Sequence, residues 1–164
     1  MEPGWVALVK ILSEILEEPY HWPVGRTVFQ KIAYFATECG IPTGLHYRRG
    51  SFGPHAPDLK GVITRLVNNG LIREERLGRM FAVKVGPTFQ DACKAYETEL
   101  SNWRDKIEQL VDLLVRMQTK QAELAATVHF AAKSLGEQQK SKPSEADVLA
   151  EVMRWKRRRR PPPE

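Results

Sequence analysis

Nine residues, Phe89, Cys93, Tyr96, Leu100, Trp103, Ile107, Leu110, Leu114 and Met117, follow one another at alternating intervals of four and three. A 4-3 seam kept over four heptads commits this stretch to helix, because only a helix gathers such positions onto one face. Thr88, with Asp91 after it, is placed to cap the start. A second stripe follows, Leu124, Val128, Ala131 and Leu135 at 4-3-4 spacing, and Gly136 ends it. No glycine or proline separates the two stripes, yet one helix through both would be very long for a compact domain. The expectation is an αα-hairpin in which the second stripe partners the first and the pair packs on the rest of the chain, in preference to a dimer.

Upstream, the periodicity predicts three shorter helices. Trp5, Leu8, Val9, Leu12, Ile15 and Leu16 form one face of the first, which Pro19 and Pro23 end. Thr27 and Gln30 read as a capping box for the second, whose stripe is Val28, Ile32, Phe35, Ala36 and Cys39, stopped by Gly40 and Pro42. The third starts near Pro57 and Asp58, faces Leu59, Val62, Ile63 and Leu66 inward, and closes at Gly70. Leu71–Leu77, Gly78-Arg79 and Met80–Val85 then read as a hairpin with a tight turn. Three helices and a hairpin are the order of a winged helix-turn-helix. The segment from Thr43 to Ala56 is much longer than the turn a DNA-reading member of that class uses.

The fold expected is therefore mainly α with a small β-hairpin. Residues 1–87 form a winged-helix-like region and 88–136 a long helical hairpin packing on it. Residues 137–164 hold a linker, a short helix capped by Ser144 with Asp147, and a basic, proline-rich tail.

Charge narrows the functions open to such a chain. The formal net charge is +5 in 164 residues, and Lys156, Arg157, Arg158, Arg159 and Arg160 supply an excess of that size by themselves. Residues 1–90 carry eleven Lys/Arg against eight Asp/Glu, and 91–143 carry eight against eight. The basicity belongs to the tail, which is expected to add weak, salt-sensitive nucleic-acid affinity and nothing to the fold. Two cysteines, Cys39 and Cys93, are too few for a disulfide scaffold or a four-cysteine zinc site, and both read as packed side chains. No apolar run is long enough to cross a membrane and no signal segment opens the chain, so a cytoplasmic protein without membrane contact is expected.

Chemistry is sparse. His46, His55 and Asp58 share a segment, but their spacing matches no metal-ligand pattern. Phosphate-cradling glycine loops and a nucleophile elbow are missing from the sequence, so neither catalysis nor a cofactor is expected. Two features besides the tail stand out. Lys60, Thr64, Arg65 and Asn68 on the third helix are of the types that reach phosphates and base edges, although an ordinary solvated helix face has the same composition. The loop Tyr47-Arg48-Arg49-Gly50-Ser51-Phe52-Gly53-Pro54-His55 interleaves aromatics, arginines and turn residues, which suits an interface hot spot. Its aromatics would equally serve to hold the loop's shape from inside.

Several of these segments resemble a known family. Gly25-Arg26-Thr27-Val28-Phe29-Gln30-Lys31-Ile32-Ala33-Tyr34-Phe35-Ala36 is similar to the first motif of the C-terminal domain of the DarG antitoxins. Arg49-Gly50-Ser51-Phe52-Gly53-Pro54, Arg65-Leu66-Val67-Asn68-Asn69-Gly70-Leu71-Ile72 and Val85-Gly86-Pro87-Thr88-Phe89 match the same domain in the same order. The resemblance covers most of residues 5–135. A broader likeness is to the Panacea antitoxin domains, which share a lysine-bearing helix and a Gly-Pro loop.

DarG antitoxins counter DarT toxins, which ADP-ribosylate thymidine in single-stranded DNA. An N-terminal macrodomain removes the modification and a C-terminal domain binds the toxin. This sequence lacks the glycine-rich phosphate loops of a macrodomain. The resemblance therefore implies the toxin-binding part alone, with Met1 and the Pro-Pro-Pro-Glu ending as the cut edges of a longer protein.

The function expected is binding of a DarT toxin over its DNA site, without catalysis. The contacts expected are Tyr47, Arg48, Arg49, Phe52 and His55, with neither arginine needed for folding. If the domain mimics DNA, carboxylates such as Glu38, Glu74 and Glu75 must gather beside that loop. The rival expectation is a winged-helix transcriptional regulator that reads DNA through Lys60, Arg65 and the hairpin.

Overall fold

In the computed structural model, helix α1 (Pro3–Glu17) runs through the centre of the molecule, and Val6, Ala7, Leu8, Val9, Ile11, Leu12 and Ile15 are all buried. The structure describes residues 1–51, 53–139 and 142–157, the last two by backbone alone. The sequence stripe gave α1 one inward face, but the helix is enclosed on several because α2, β4 and the later helices pack around it. Gly4 marks the closest approach: a Cβ there would lie 2.1 Å from the Pro42 carbonyl oxygen.

The order among the described residues is α1, α2 (Arg26–Glu38), β1 (Arg48–Gly50), β2 (Gly53–His55), α3 (Leu59–Asn68), β3 (Ile72–Leu77), β4 (Met80–Val85), α4 (Phe89–Ala95), α5 (Glu97–Asn102), α6 (Arg104–Leu114), α7 (Thr119–Gln139) and α8 (Glu145–Arg157). The chain is mainly helical with two small antiparallel hairpins, β1–β2 and β3–β4. Between α1 and α2 the chain bends at residues 18–20 and enters Gly25 in extended backbone. Val83 N–H donates to the Val24 carbonyl at 2.7 Å, and Gly25 bridges Ala82. That strip joins the second hairpin, so α1, α2, α3, β3 and β4 stand in winged-helix order. The expected turn at Gly78-Arg79 is present, with Leu77 opposite Met80.

Two expected caps are not made. The β-bridge carries extended backbone through Gly25, so α2 begins at once behind it and Thr27 falls inside the helix. Thr88 donates instead to the Asn69 carbonyl at 2.7 Å, tying the start of α4 to the end of α3. The Ser144 cap of α8 is made, its Oγ accepting from Asp147 N–H at 3.1 Å.

The 4-3 seam folds as three helical segments bent at Tyr96 and Trp103, where ψ opens to 28° and 10°. Backbone bonds still cross both bends, from Leu100 N–H to Tyr96 and from Ile107 N–H to Trp103. Bending keeps Phe89, Leu100, Ile107, Leu110 and Leu114 buried, α4–α6 lying along α1 and α6 also reaching α2. Each such side chain contributes about 1.5–3 kcal/mol by leaving water.

The chain reverses at 115–118, but α6 and α7 do not take each other as main partners: α7 lies on α2, β2 and α8. The expected stripe on α7 is displaced accordingly. Leu124 and Val128 are 50% and 40% exposed, while Ala122, Ala126, Thr127 and Ala131 are fully buried, because small side chains let α7 approach α2 closely. Cys39, expected on the inner face of α2, ends that helix and is exposed, whereas Cys93 is half-buried against α1. No helix among the described residues is long and apolar enough to cross a membrane.

Candidate functional site

The long segment after α2 does not loop freely. It contains the β1–β2 hairpin, with Arg48 opposite His55 and Gly50 opposite Gly53. Three-residue strands cannot hold themselves together in water, so the surroundings must. Gly53 has φ +108°, and a Cβ on it would lie 2.9 Å from Thr127 Oγ1 and 3.2 Å from Lys31 Nζ. Lys31 is buried in α2 and its Nζ donates to the Pro54 carbonyl at 3.3 Å. This is the contact between a lysine-bearing helix and a Gly-Pro loop. Glu123, on the facing turn of α7, is buried as well.

Behind the hairpin lies an aromatic cluster. Tyr34 is fully buried, its ring edge-on to Tyr47 at 5.0 Å and its hydroxyl 2.6 Å from His129 Nδ1. Burial, with Glu38 adding to it, pushes the Tyr34 pKa far up, so the phenol stays protonated. Burial does the same for Tyr47, whose hydroxyl is turned inward beside Thr37. Tyr47 therefore holds the loop's shape.

The two arginines of the loop part company. Arg49 pairs with Glu151 of α8, which Arg154 also grips, and stacks over the Trp155 ring at 5.0 Å. Trp155 Nε1 donates to the Gly50 carbonyl at 2.8 Å, and its ring meets Phe130 edge-on at 5.6 Å. Arg154, then Arg49, hold the Glu151 carboxyl below the ordinary carboxylate range. Arg49 thus fastens the C-terminal helix to the hairpin, which corrects the expectation that its charge is irrelevant to folding. Arg48 is exposed and forms no ion pair among the described residues.

On the other side of the hairpin is a groove of about 360 Å³ between α2, α3 and β3. Tyr47, Pro54 and His55 line it from the hairpin, and Leu59, Lys60, Ile63, Thr64, Val67 and Asn68 from α3. Two candidates that are separate in the sequence, the aromatic loop and the polar face of α3, thereby share one cavity. Arg65 does not join them, because its guanidinium lies over the Trp5 ring at 5.6 Å. Phe52, the side chains of Lys156 and Arg157, and Arg158, Arg159 and Arg160 lie outside the described residues.

The carboxylates that DNA mimicry would require do not gather at the loop. Glu38 pairs with Lys133 of α7 at 2.9 Å, and Glu75 pairs with Arg73. Glu74 alone lines the groove, and Arg26 binds it in two-pronged fashion at 2.7 and 2.9 Å. His46, His55 and Asp58 are all exposed. Among the described residues no group of three or more His, Cys, Asp or Glu is placed to hold a metal ion.

Reasoning from sequence missed Glu151 and Trp155 as partners of the loop. A tryptophan on the inner face of a short amphipathic helix was the only signal, and it does not say where the helix docks.

Fold and site together define a mainly helical domain with a winged-helix-like centre and a groove beside an internally clasped hairpin. The chain is similar to the DNA ADP-ribosyl glycohydrolase of Thermus aquaticus, at 26% identity over 137 residues. The similarity takes in 83% of this chain and 38% of that protein, so the chain spans well under half of the relative's length. No family model matches the chain.

Proposed function

We propose that this chain is the toxin-binding domain of a DNA ADP-ribosylation toxin–antitoxin pair. In this reading it holds a DarT toxin and covers its DNA site without catalysis of its own. The observation that carries the proposal is the similarity to a DNA ADP-ribosyl glycohydrolase through most of this chain but little of that enzyme. A glycohydrolase needs a catalytic pocket, and a relative more than twice as long has room for it elsewhere. Arg48 and His55, which are opposed on the hairpin and exposed, are the contacts, with Tyr47 supporting them from beneath. The ion pairs of Glu38, Glu74 and Glu75 favour occlusion by the bulk of the domain over imitation of phosphates.

Co-expression with the cognate DarT toxin is expected to restore growth and yield a complex that survives purification. An absence of binding between purified partners at micromolar concentration would sink the proposal. Arg48→Ala is expected to weaken binding by about 1–3 kcal/mol with folding unchanged. Incubating the chain with ADP-ribosylated single-stranded DNA is expected to release no ADP-ribose.

The exposed Lys60, Thr64 and Asn68 on α3 favour a second reading, a winged-helix regulator that reads DNA. Its wing, however, presents Glu74 and Glu75 on β3, and its Arg65 is occupied by Trp5. Retardation of promoter DNA that collapses steeply with salt would establish it.

A further inference from the structure

We propose that the groove between α2, α3 and the first hairpin docks an acidic peptide segment that inserts one bulky apolar side chain. Ile63, Leu59 and Pro54 give the groove an apolar lining, and Val67 at its edge is 38% exposed. An apolar surface of this kind, left open beside polar groups, is where a partner's side chain gains by leaving water. The volume of about 360 Å³ admits one or two large side chains, not a domain edge.

Charge decides what accompanies that side chain. Lys60 and His55 line the groove, and Arg48 stands directly across the hairpin from His55. Cross-strand partners project to the same side of an antiparallel pair, so Arg48 belongs to this rim. Neither Lys60 nor Arg48 forms an ion pair among the described residues. The one carboxylate in the lining among the described residues, Glu74, is neutralised by Arg26. Among the described residues the rim is thus cationic without a compensating ion pair, and a segment rich in aspartate and glutamate is complementary to it.

A single-stranded nucleic acid would also satisfy the cations, but it needs aromatic faces on which to stack bases. Among the described residues, Tyr47 is the only aromatic ring in the lining besides the His55 imidazole. Its ring is packed edge-on to Tyr34 with its hydroxyl turned inward, and it offers no free platform. As the place where a toxin is gripped, the groove rests on the reading above. An acidic segment cannot come from a DNA-binding channel, which is itself cationic, so it would lie beside the toxin's DNA site.

The groove is tested without the toxin, so its failure and the failure of the toxin reading are separable. The probe is a synthetic peptide of aspartate and glutamate around a leucine–tryptophan pair, titrated into labelled protein and followed by backbone amide shifts. Shifts confined to α3, β2 and the start of α2, weakening as salt is raised, are the expected result. Val67→Glu and Lys60→Glu, both at exposed positions, should each weaken the peptide by about tenfold or more while leaving the thermal midpoint in place. Three results would overturn the proposal: shifts on another face, equal binding of the same peptide with lysine replacing its acidic residues, or an oligothymidylate occupying the groove in preference to the peptide.

Discussion

The two hairpins of this protein are built on opposite principles. β3–β4 pairs six residues with six through a two-residue turn and leaves Leu77, Met80 and Phe81 at its tip up to half exposed. β1–β2 pairs three with three around Gly53, and it is held from outside by Lys31 of α2, by α7 beneath and by α8 across its flank. The first carries a six-pair ladder of its own and is anchored along its length by the buried Ile72, Ala82 and Val83 and by the bond from Val83 to Val24. The second has too few bonds to persist alone and exists because tertiary partners on three helices satisfy it. Its exposed residues are consequently fixed in place, which lowers the ordering cost of any contact they make with a partner.

That contrast is broken most directly by removing a clasp. Trp155→Ala deletes a buried ring and the bond to Gly50, and is expected to cost about 3 kcal/mol, read by chemical denaturation, while the amides of β3–β4 keep their protection. If both hairpins loosen together, they are one cooperative unit and the contrast is lost. Gly53→Ala forces a side chain into a left-handed backbone against Thr127 and Lys31, and about 2 kcal/mol of stability should go with it.

Arg49→Ala should cost about 1 kcal/mol through its lost ion pair and ring contact, whereas Arg48→Ala should change the thermal midpoint little. Equal effects of the two would mean that α8 is not fastened through Arg49. Acid probes the same clasp. The Glu151 pKa is depressed in the folded state, so its contribution is complete above the ordinary carboxylate value of about 4.5 and is lost as pH falls through the lower, folded value. The Trp155 indole resonance is expected to move toward its unfolded position in that acidic range, and at higher pH in Arg49→Ala. The smallest effect is expected at the wing tip. Phe81→Ser, at a ring 50% exposed, should alter stability by no more than about 0.5 kcal/mol.

The same contrast marks what could be read from the chain. β3–β4 is legible because its turn residues and alternating content lie within the hairpin itself. β1–β2 is not, since Arg-Arg-Gly and Gly-Pro-His show no alternation and the groups that hold them lie far away in sequence. The candidate site divides in the same way. Its residue types stood out at once, yet nothing in the order of residues tells that Arg48 stays exposed opposite His55 while its neighbour Arg49 is taken up by α8. Nor does spacing place Lys60 and His55 in one cavity while sending Arg65 onto Trp5.

The sequence alone determined which stretches are helical, the wing and the buried seam of Phe89, Leu100, Ile107, Leu110 and Leu114, because periodicity records only which side of an element avoids water. It determined neither the bends at Tyr96 and Trp103 nor the run of α7 past Gly136. Tertiary structure decided the partners: that the seam lies on α1, that α7 turns its alanines rather than Leu124 and Val128 inward, and that α8 closes over the hairpin. The physical reason is that a stripe of apolar residues fixes a direction of burial and carries no label for what will cover it. The covering surface is chosen by close packing and by the few buried polar groups, here Lys31 and the Trp155 indole, that must find an acceptor once water is gone.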